Sequence, residues 1–151
     1  MQLSPDHKKS GVITASAGNH ALALAWHGAD LGVPVTCVMP TVAPLTKVDK
    51  CRKFGARVII HGAHIGESRE FAKAEYPELK YINGYDDPEI IAGAGTMGLE
   101  ILEQLKDIDV VLVPVGGAGL IAGISLVIKT LRPSVQGMHI IYGIYTVYNV
   151  F

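Results

Sequence analysis

Val110-Val111-Leu112-Val113-Pro114-Val115-Gly116-Gly117-Ala118-Gly119-Leu120-Ile121-Ala122-Gly123-Ile124-Ser125-Leu126-Val127-Ile128 contains no charged residue. By hydropathy alone a stretch of this length could cross a bilayer. Pro114 and the run Gly116-Gly117-Ala118-Gly119 fall in its middle, where a spanning helix would lose hydrogen bonds and gain flexibility. The same residues form a consistent unit as a buried strand, a tight loop and a buried helix. That choice places the segment in a soluble α/β protein with no membrane partner.

Upstream, the type of periodicity alternates regularly. Short β-rich runs stand at Gly11-Val12-Ile13-Thr14, 35–39, 57–60, Lys80-Tyr81-Ile82 and 110–113. Helical spacing fills the intervals. The first helix is expected from Asn19 to Leu31. The second runs from Leu45 to Phe54, with Leu45, Val48 and Cys51 on one face and Gly55 suited to its C-terminus. A third covers Glu67 to Glu75. A fourth follows Asp86-Asp87-Pro88, where aspartate can cap and proline fits the first turn, and reaches Leu105. Alternation at this interval predicts right-handed βαβ units and an α/β, three-layer parallel sheet. In such sheets ligands bind beyond the carboxyl ends of the strands.

Composition narrows the function classes. The 151 residues carry 13 Lys+Arg against 14 Asp+Glu, a formal charge of -1, so there is no basic footprint for nucleic acid. Cys37 and Cys51 are the only cysteines and show no disulfide or zinc spacing, which with the absence of a signal-like start predicts a cytoplasmic setting. Seventeen glycines and a mean hydropathy of +0.32 are high for such a chain. Asp109 is the last acidic residue. Beyond it only Lys129, Arg132 and His139 are ionisable apart from tyrosines.

Two loops carry chemistry. Thr14-Ala15-Ser16-Ala17-Gly18-Asn19-His20 joins the first strand to the first helix. Its small residues let a ligand approach the backbone, Ser16 and Asn19 add hydrogen-bonding groups, and a helix start favours an anion such as a carboxylate. The plainer alternative is a Ser or Asn serving only as the helix cap. Gly116-Gly117-Ala118-Gly119-Leu120 exposes consecutive backbone N–H groups before a helix, so a phosphate fits without Lys or Arg. Gly117 to Ala122 also satisfies GxGxxA, but the acidic residue that a dinucleotide's ribose needs some 20 positions later is absent. A phosphate site survives that test better than a nucleotide site. His61 and His64 lack a third metal ligand and are expected on a loop or the surface, so no metal site is assigned. Lys47, Lys50, Arg52 and Lys53 are expected to form a solvated helix face, and Trp26 to serve packing.

Together, Thr14 to Ala21, the run from Asp86-Asp87-Pro88 through Ile91-Ala92-Gly93-Ala94-Gly95-Thr96 to Glu100-Ile101, and Val113 to Leu120 carry a resemblance. The chain resembles the L-threonine/L-serine ammonia-lyase (dehydratase) and serine racemase group of fold-type II pyridoxal-phosphate enzymes, from about Gly11 to Pro133. The resemblance implies the tryptophan synthase beta-like fold, with a small domain over 11–105 and part of a large domain over 106–151. It implies pyridoxal 5'-phosphate as cofactor, its phosphate held by Gly116, Gly117, Ala118, Gly119 and Leu120 and its ring hydroxyl met by Asn19. It assigns Ser16, Ala17, Gly18, Asn19 and His20 to the carboxylate of an amino acid substrate. The implied reaction is β-elimination of water, giving a 2-oxo acid and ammonia. Racemases of the group have a serine where this chain has Ala17, whose methyl group exchanges no proton, so dehydration is expected.

Departures from the family pattern set further expectations. The Schiff-base lysine of the family's Ser-Phe-Lys-x-Arg-Gly motif has no counterpart; Lys8 and Lys9 stand too close to the first strand to replace it. No catalytic residue is therefore assigned, and the chain is expected to be a fragment, inactive by itself. Ala94 occupies a position that is usually glutamine. The tail from Gln136 to Tyr145 follows no motif of the family. A noncatalytic module that pairs with itself or with a full-length homologue, and a nucleotide-binding α/β protein, are the alternatives.

Overall fold

The computed structural model describes residues 3–141 and 144–149, with side chains described for residues 3–137. Its elements are α1 (Pro5–Ser10), β1 (Val12–Ala15), α2 (Asn19–Leu31), β2 (Val35–Met39), α3 (Leu45–Lys53), β3 (Arg57–Ile60), α4 (Ile65–Glu75) and β4 (Lys80–Tyr81), followed by α5 (Pro88–Gln104), β5 (Val110–Val115), α6 (Gly119–Leu131), β6 (Gln136–Ile141) and β7 (Ile144–Asn149). Two compact units result: one is Gln2–Asn83, the other starts at Gly84.

In the first unit every strand pair is parallel and the order is β3-β2-β1-β4. Both faces of the sheet are covered. Ile13 and Val38 pack with Ala72 of α4, and Phe71, Tyr76 and Leu79 extend that cluster. On the opposite face, a Cβ on Gly28 of α2 would overlap the Val35 side chain, and Cys37 Sγ lies 3.9 Å from the Ala21 carbonyl oxygen. Alternate residues of β2 thus serve opposite layers, so β1 and β2 are buried throughout and apolar except for Thr14 and Thr36. Complete burial of a side chain such as Ile13 contributes roughly 1.5–3 kcal/mol. Succession along the sheet runs outward from β1 to β3 on one side and to β4 on the other. The order therefore reverses at β1, and the crevice beyond its carboxyl end is where such a sheet binds ligands.

The second unit contains a β5-α6-β6 crossover with parallel strands, and β7 is antiparallel to β6. Val113, Ile121, Ile124, Ile128 and Leu102 form its core. Helices α5 and α6 approach closely because small residues meet: a Cβ on Gly123 would lie 2.6 Å from the Gly95 nitrogen, and Gly98 faces Val127.

The α/β class with a parallel sheet is as expected, and several particulars differ. Helix α1, capped by Ser4 and begun by Pro5, has no apolar stripe and was not foreseen. Helix α4 starts at Ile65, ahead of Glu67, because His64 Nδ1 accepts the Glu67 N–H and caps it. Trp26, expected in packing, is 52% exposed, its ring edge-on to His27. The compact units divide at Asn83/Gly84, whereas the domains were expected to divide at 105/106, because α5 belongs with α6. Of the apolar tail, strand pairing of β6 and β7 is described, and Tyr142 and Gly143 lie outside the described residues. No described helix is long and apolar enough to cross a membrane.

Candidate active site

Both loops singled out in the sequence follow strands at their carboxyl ends, one in each unit. In the first unit, Ser16 to Gly18 connect β1 to α2 at the position where strand order reverses. Gly18 is the N-cap of α2, and no side chain caps that helix. Ser16 and Asn19 are thus not spent on capping, against the plainer alternative. Ser16 anchors the loop: its N–H donates to the Val38 carbonyl (3.1 Å) and its Oγ accepts from the Gly18 N–H (3.3 Å). The first turn of α2 contains no acidic residue, so its partial positive charge is not offset locally.

His20 stands behind this loop. Its Nε2 lies 3.4 Å from the Ile82 carbonyl oxygen, which also accepts from the buried Thr14 hydroxyl at 3.0 Å. A carbonyl oxygen only accepts, so Nε2 carries the proton. Burial lowers the imidazole pKa, and the bond to Ile82 partly counters that shift. His20 therefore ties the start of α2 to the residue after β4. Lys47 was expected on a solvated face with Lys50, Arg52 and Lys53. Those three are exposed, but Lys47 is half-buried and its Nζ donates to Asn19 Oδ1 at 2.7 Å. No spacing rule distinguishes it from its neighbours in the run. Its place on the first turn of α3 is the signal that could have done so.

In the second unit, β5 ends in Gly116-Gly117-Ala118 and α6 begins at Gly119. Ala118 is the only non-glycine residue with positive φ among the described residues (φ 67°, ψ -7°). Such a conformation is uncommon outside glycine and turns successive N–H groups toward one side. The N–H groups of Gly117, Ala118, Gly119 and Leu120 have no acceptor among the described residues. Glycine is required on steric grounds too. A Cβ on Gly119 would lie 2.5 Å from the Gly84 carbonyl oxygen, and one on Gly117 would run into the Tyr85 ring. Tyr85, missed in the sequence, thus lines the loop from the segment before α5. It adjoins the recognised Asp86-Asp87-Pro88, in which Asp87 caps α5 as expected.

A family model described as "Pyridoxal-phosphate dependent enzyme" matches residues 2–147. The chain belongs to that family. It is 47% identical over 136 residues to the L-threonine ammonia-lyase of Thermotoga maritima, covering 89% of this chain and 34% of that protein. With the biosynthetic L-threonine dehydratase of Escherichia coli it shares 46% identity over 140 residues, covering 89% and 26%. Among solved structures, threonine deaminase isoform 2 of Solanum lycopersicum superposes with a TM-score of 0.83 at 42% identity, over 92% of this chain and 39% of that one. Maize serine racemase gives 0.84 at 34% identity, over 91% and 42%. The chain thus spans about a quarter to a third of the length of these two curated relatives.

The family's cofactor is pyridoxal phosphate, and the glycine loop fits its phosphate. N–H groups without an acceptor among the described residues stand at a helix start, a Cβ at Gly117 or Gly119 would overlap its neighbours, and the first turn of α6 has no acidic residue. The family match leaves the nucleotide alternative without a role. Lys8 and Lys9 are exposed on α1. His61 stacks on Phe71 with ring centroids 3.8 Å apart, while His64 caps α4; both line an open groove along that helix with Glu67 and Glu70, and neither belongs to the two loops. No group of three metal-binding side chains occurs among the described residues. Cys37 and Cys51 are free, buried thiols; burial pushes Cys37 up to about 12.

Proposed function

We propose that these residues serve an L-threonine/L-serine ammonia-lyase, which eliminates water from a β-hydroxy amino acid to give a 2-oxo acid and ammonia. The observation that carries this is the acid-free glycine loop, in which the N–H groups of Gly117, Ala118, Gly119 and Leu120 have no acceptor among the described residues. The cofactor, when bound, acts as an electron sink for the carbanion left by α-proton removal. Gly116 to Leu120 bind its phosphate through backbone donors and the start of α6. Asn19 bonds its ring oxygen. Ser16, Ala17, Gly18, Asn19 and His20 bind and orient the substrate carboxylate at the start of α2. Ala17 brings no exchangeable proton to that loop, which favours elimination over racemisation. The Schiff-base lysine that the resemblance calls for has no counterpart in sequence context among these 151 residues, and on this reading the chain alone is inactive. The two curated relatives' names support threonine; serine as a second substrate and a cytoplasmic location, consistent with two free thiols, belong to this proposal.

A chimera tests the proposal: the T. maritima ammonia-lyase with its matching 136 residues replaced by those of this chain. The chimera is expected to form 2-oxobutanoate and ammonia from L-threonine, Asn19→Ala to reduce this at least about tenfold, and the isolated chain with cofactor to match a heat-killed control. A folded, cofactor-loaded chimera that releases no ammonia overturns it. A second reading, a noncatalytic module pairing with itself or a full-length homologue, draws on Val110 and Leu112, 41% and 59% exposed on one face of β5. Size-exclusion chromatography showing a strict monomer with no co-elution rejects that reading.

A further inference from the structure

We propose that Lys47 is a positioning residue of the asparagine loop, fixing the Asn19 amide so that its NH2 is left to donate to an oxyanion on the ligand. The inference rests on the cofactor reading above and extends it to a residue on a different helix. Lys47 Nζ donates to Asn19 Oδ1 at 2.7 Å. An amide has one acceptor end and one donor end, and an ammonium can only donate. Lys47 therefore accepts one orientation of Asn19 and rejects the flipped one. With Oδ1 so occupied, Nδ2 is the end available to a ligand, and it can only donate. A phenolate-type ring oxygen satisfies it; a protonated nitrogen does not.

The local electrostatics agree. Lys47 is half-buried, and no carboxylate among the described residues pairs with it. Its charge adds to the positive end of α2, whose first turn has no acid. Both positive contributions favour an anionic ligand atom at the Asn19 amide. The neighbouring Lys50, Arg52 and Lys53 are exposed, and Arg52 is 3.9 Å from Asp49. Lys47 alone of the run is engaged with the loop.

The test titrates the chain and its variants with pyridoxal phosphate and with its 3-deoxy analogue, which lacks the ring oxygen. Lys47→Met is expected to weaken pyridoxal phosphate about fivefold to tenfold, as loss of a charge-assisted contact does, and to leave the deoxy analogue unchanged. Lys47→Arg restores most of the loss, and Lys50→Met has no effect. Equal weakening of both probes, or none, overturns the inference. If the unsubstituted chain binds neither probe, the cofactor reading fails instead, and the inference is judged by NMR. The Asn19 side-chain amide resonances must then shift in Lys47→Met and return in Lys47→Arg; an unmoved signal overturns it.

Discussion

The Ile82 carbonyl oxygen accepts from both Thr14 and His20, and through it the two ends of the asparagine loop are held to the residue that follows β4. This arrangement fixes a pH dependence. The partly buried His20 imidazole binds its proton less tightly than the free side chain with its pKa of 6.5. In the unfolded chain it therefore takes up a proton first as pH falls, and the folded state loses stability from about pH 6.5 down to its lowered folded value. Above that range the contribution is fully present. Denaturant unfolding of His20→Gln is expected to give a flatter stability profile than the parent between about pH 5 and 7; an unchanged slope contradicts the assignment. The residue pattern identified His20 only as a loop member. Its bond to Ile82 joins residues far apart in sequence, and no local spacing encodes it. The same holds for Lys47, whose charge is legible but whose partner is not.

At the scale of elements, local rules read the chain well where a cap or a period decides. Asp87 and Pro88 begin α5 as their chemistry requires, and Gly55 at φ 83° follows α3 where the helix was expected to end. Strands β1 and β2 were legible because short runs rich in β-branched and apolar residues suit burial on both faces. Helix α1 was illegible because it buries no residue and so leaves no periodic trace. The close packing of α5 on α6 was also missed, although its glycines were counted. Gly123 and Gly93 separate the two meanings of a helical glycine. A Cβ at Gly123 would strike the Ile91 carbonyl and lie 2.6 Å from the Gly95 nitrogen, whereas Gly93 has open space. Gly123→Ala should destabilise the chain by about 1–3 kcal/mol, and Gly93→Ala should stabilise it by about 0.5–1 kcal/mol. Urea unfolding midpoints decide this, and matching shifts in the two variants contradict the packing described.

For the whole molecule, the uncharged segment from Val110 to Ile128 is resolved into β5, the glycine loop and α6. Its apolar character is explained in part by the core around Val113, Ile124 and Ile128, while Val110, Leu112 and Leu126 stay exposed. The division between units fell at Asn83/Gly84 and could not be read from composition, because Gly84 and Tyr85 are set by contact with the glycine loop across some thirty residues. The central claim is that this loop is a phosphate cradle made of backbone alone. Titrating the chain with pyridoxal phosphate and with pyridoxal, which lacks the phosphate, tests it most directly. Several charge-assisted backbone bonds should make the phosphate form bind at least about a hundredfold more tightly, and Gly119→Ala should abolish that advantage. Equal binding of the two forms, or an advantage that survives Gly119→Ala, would contradict the account.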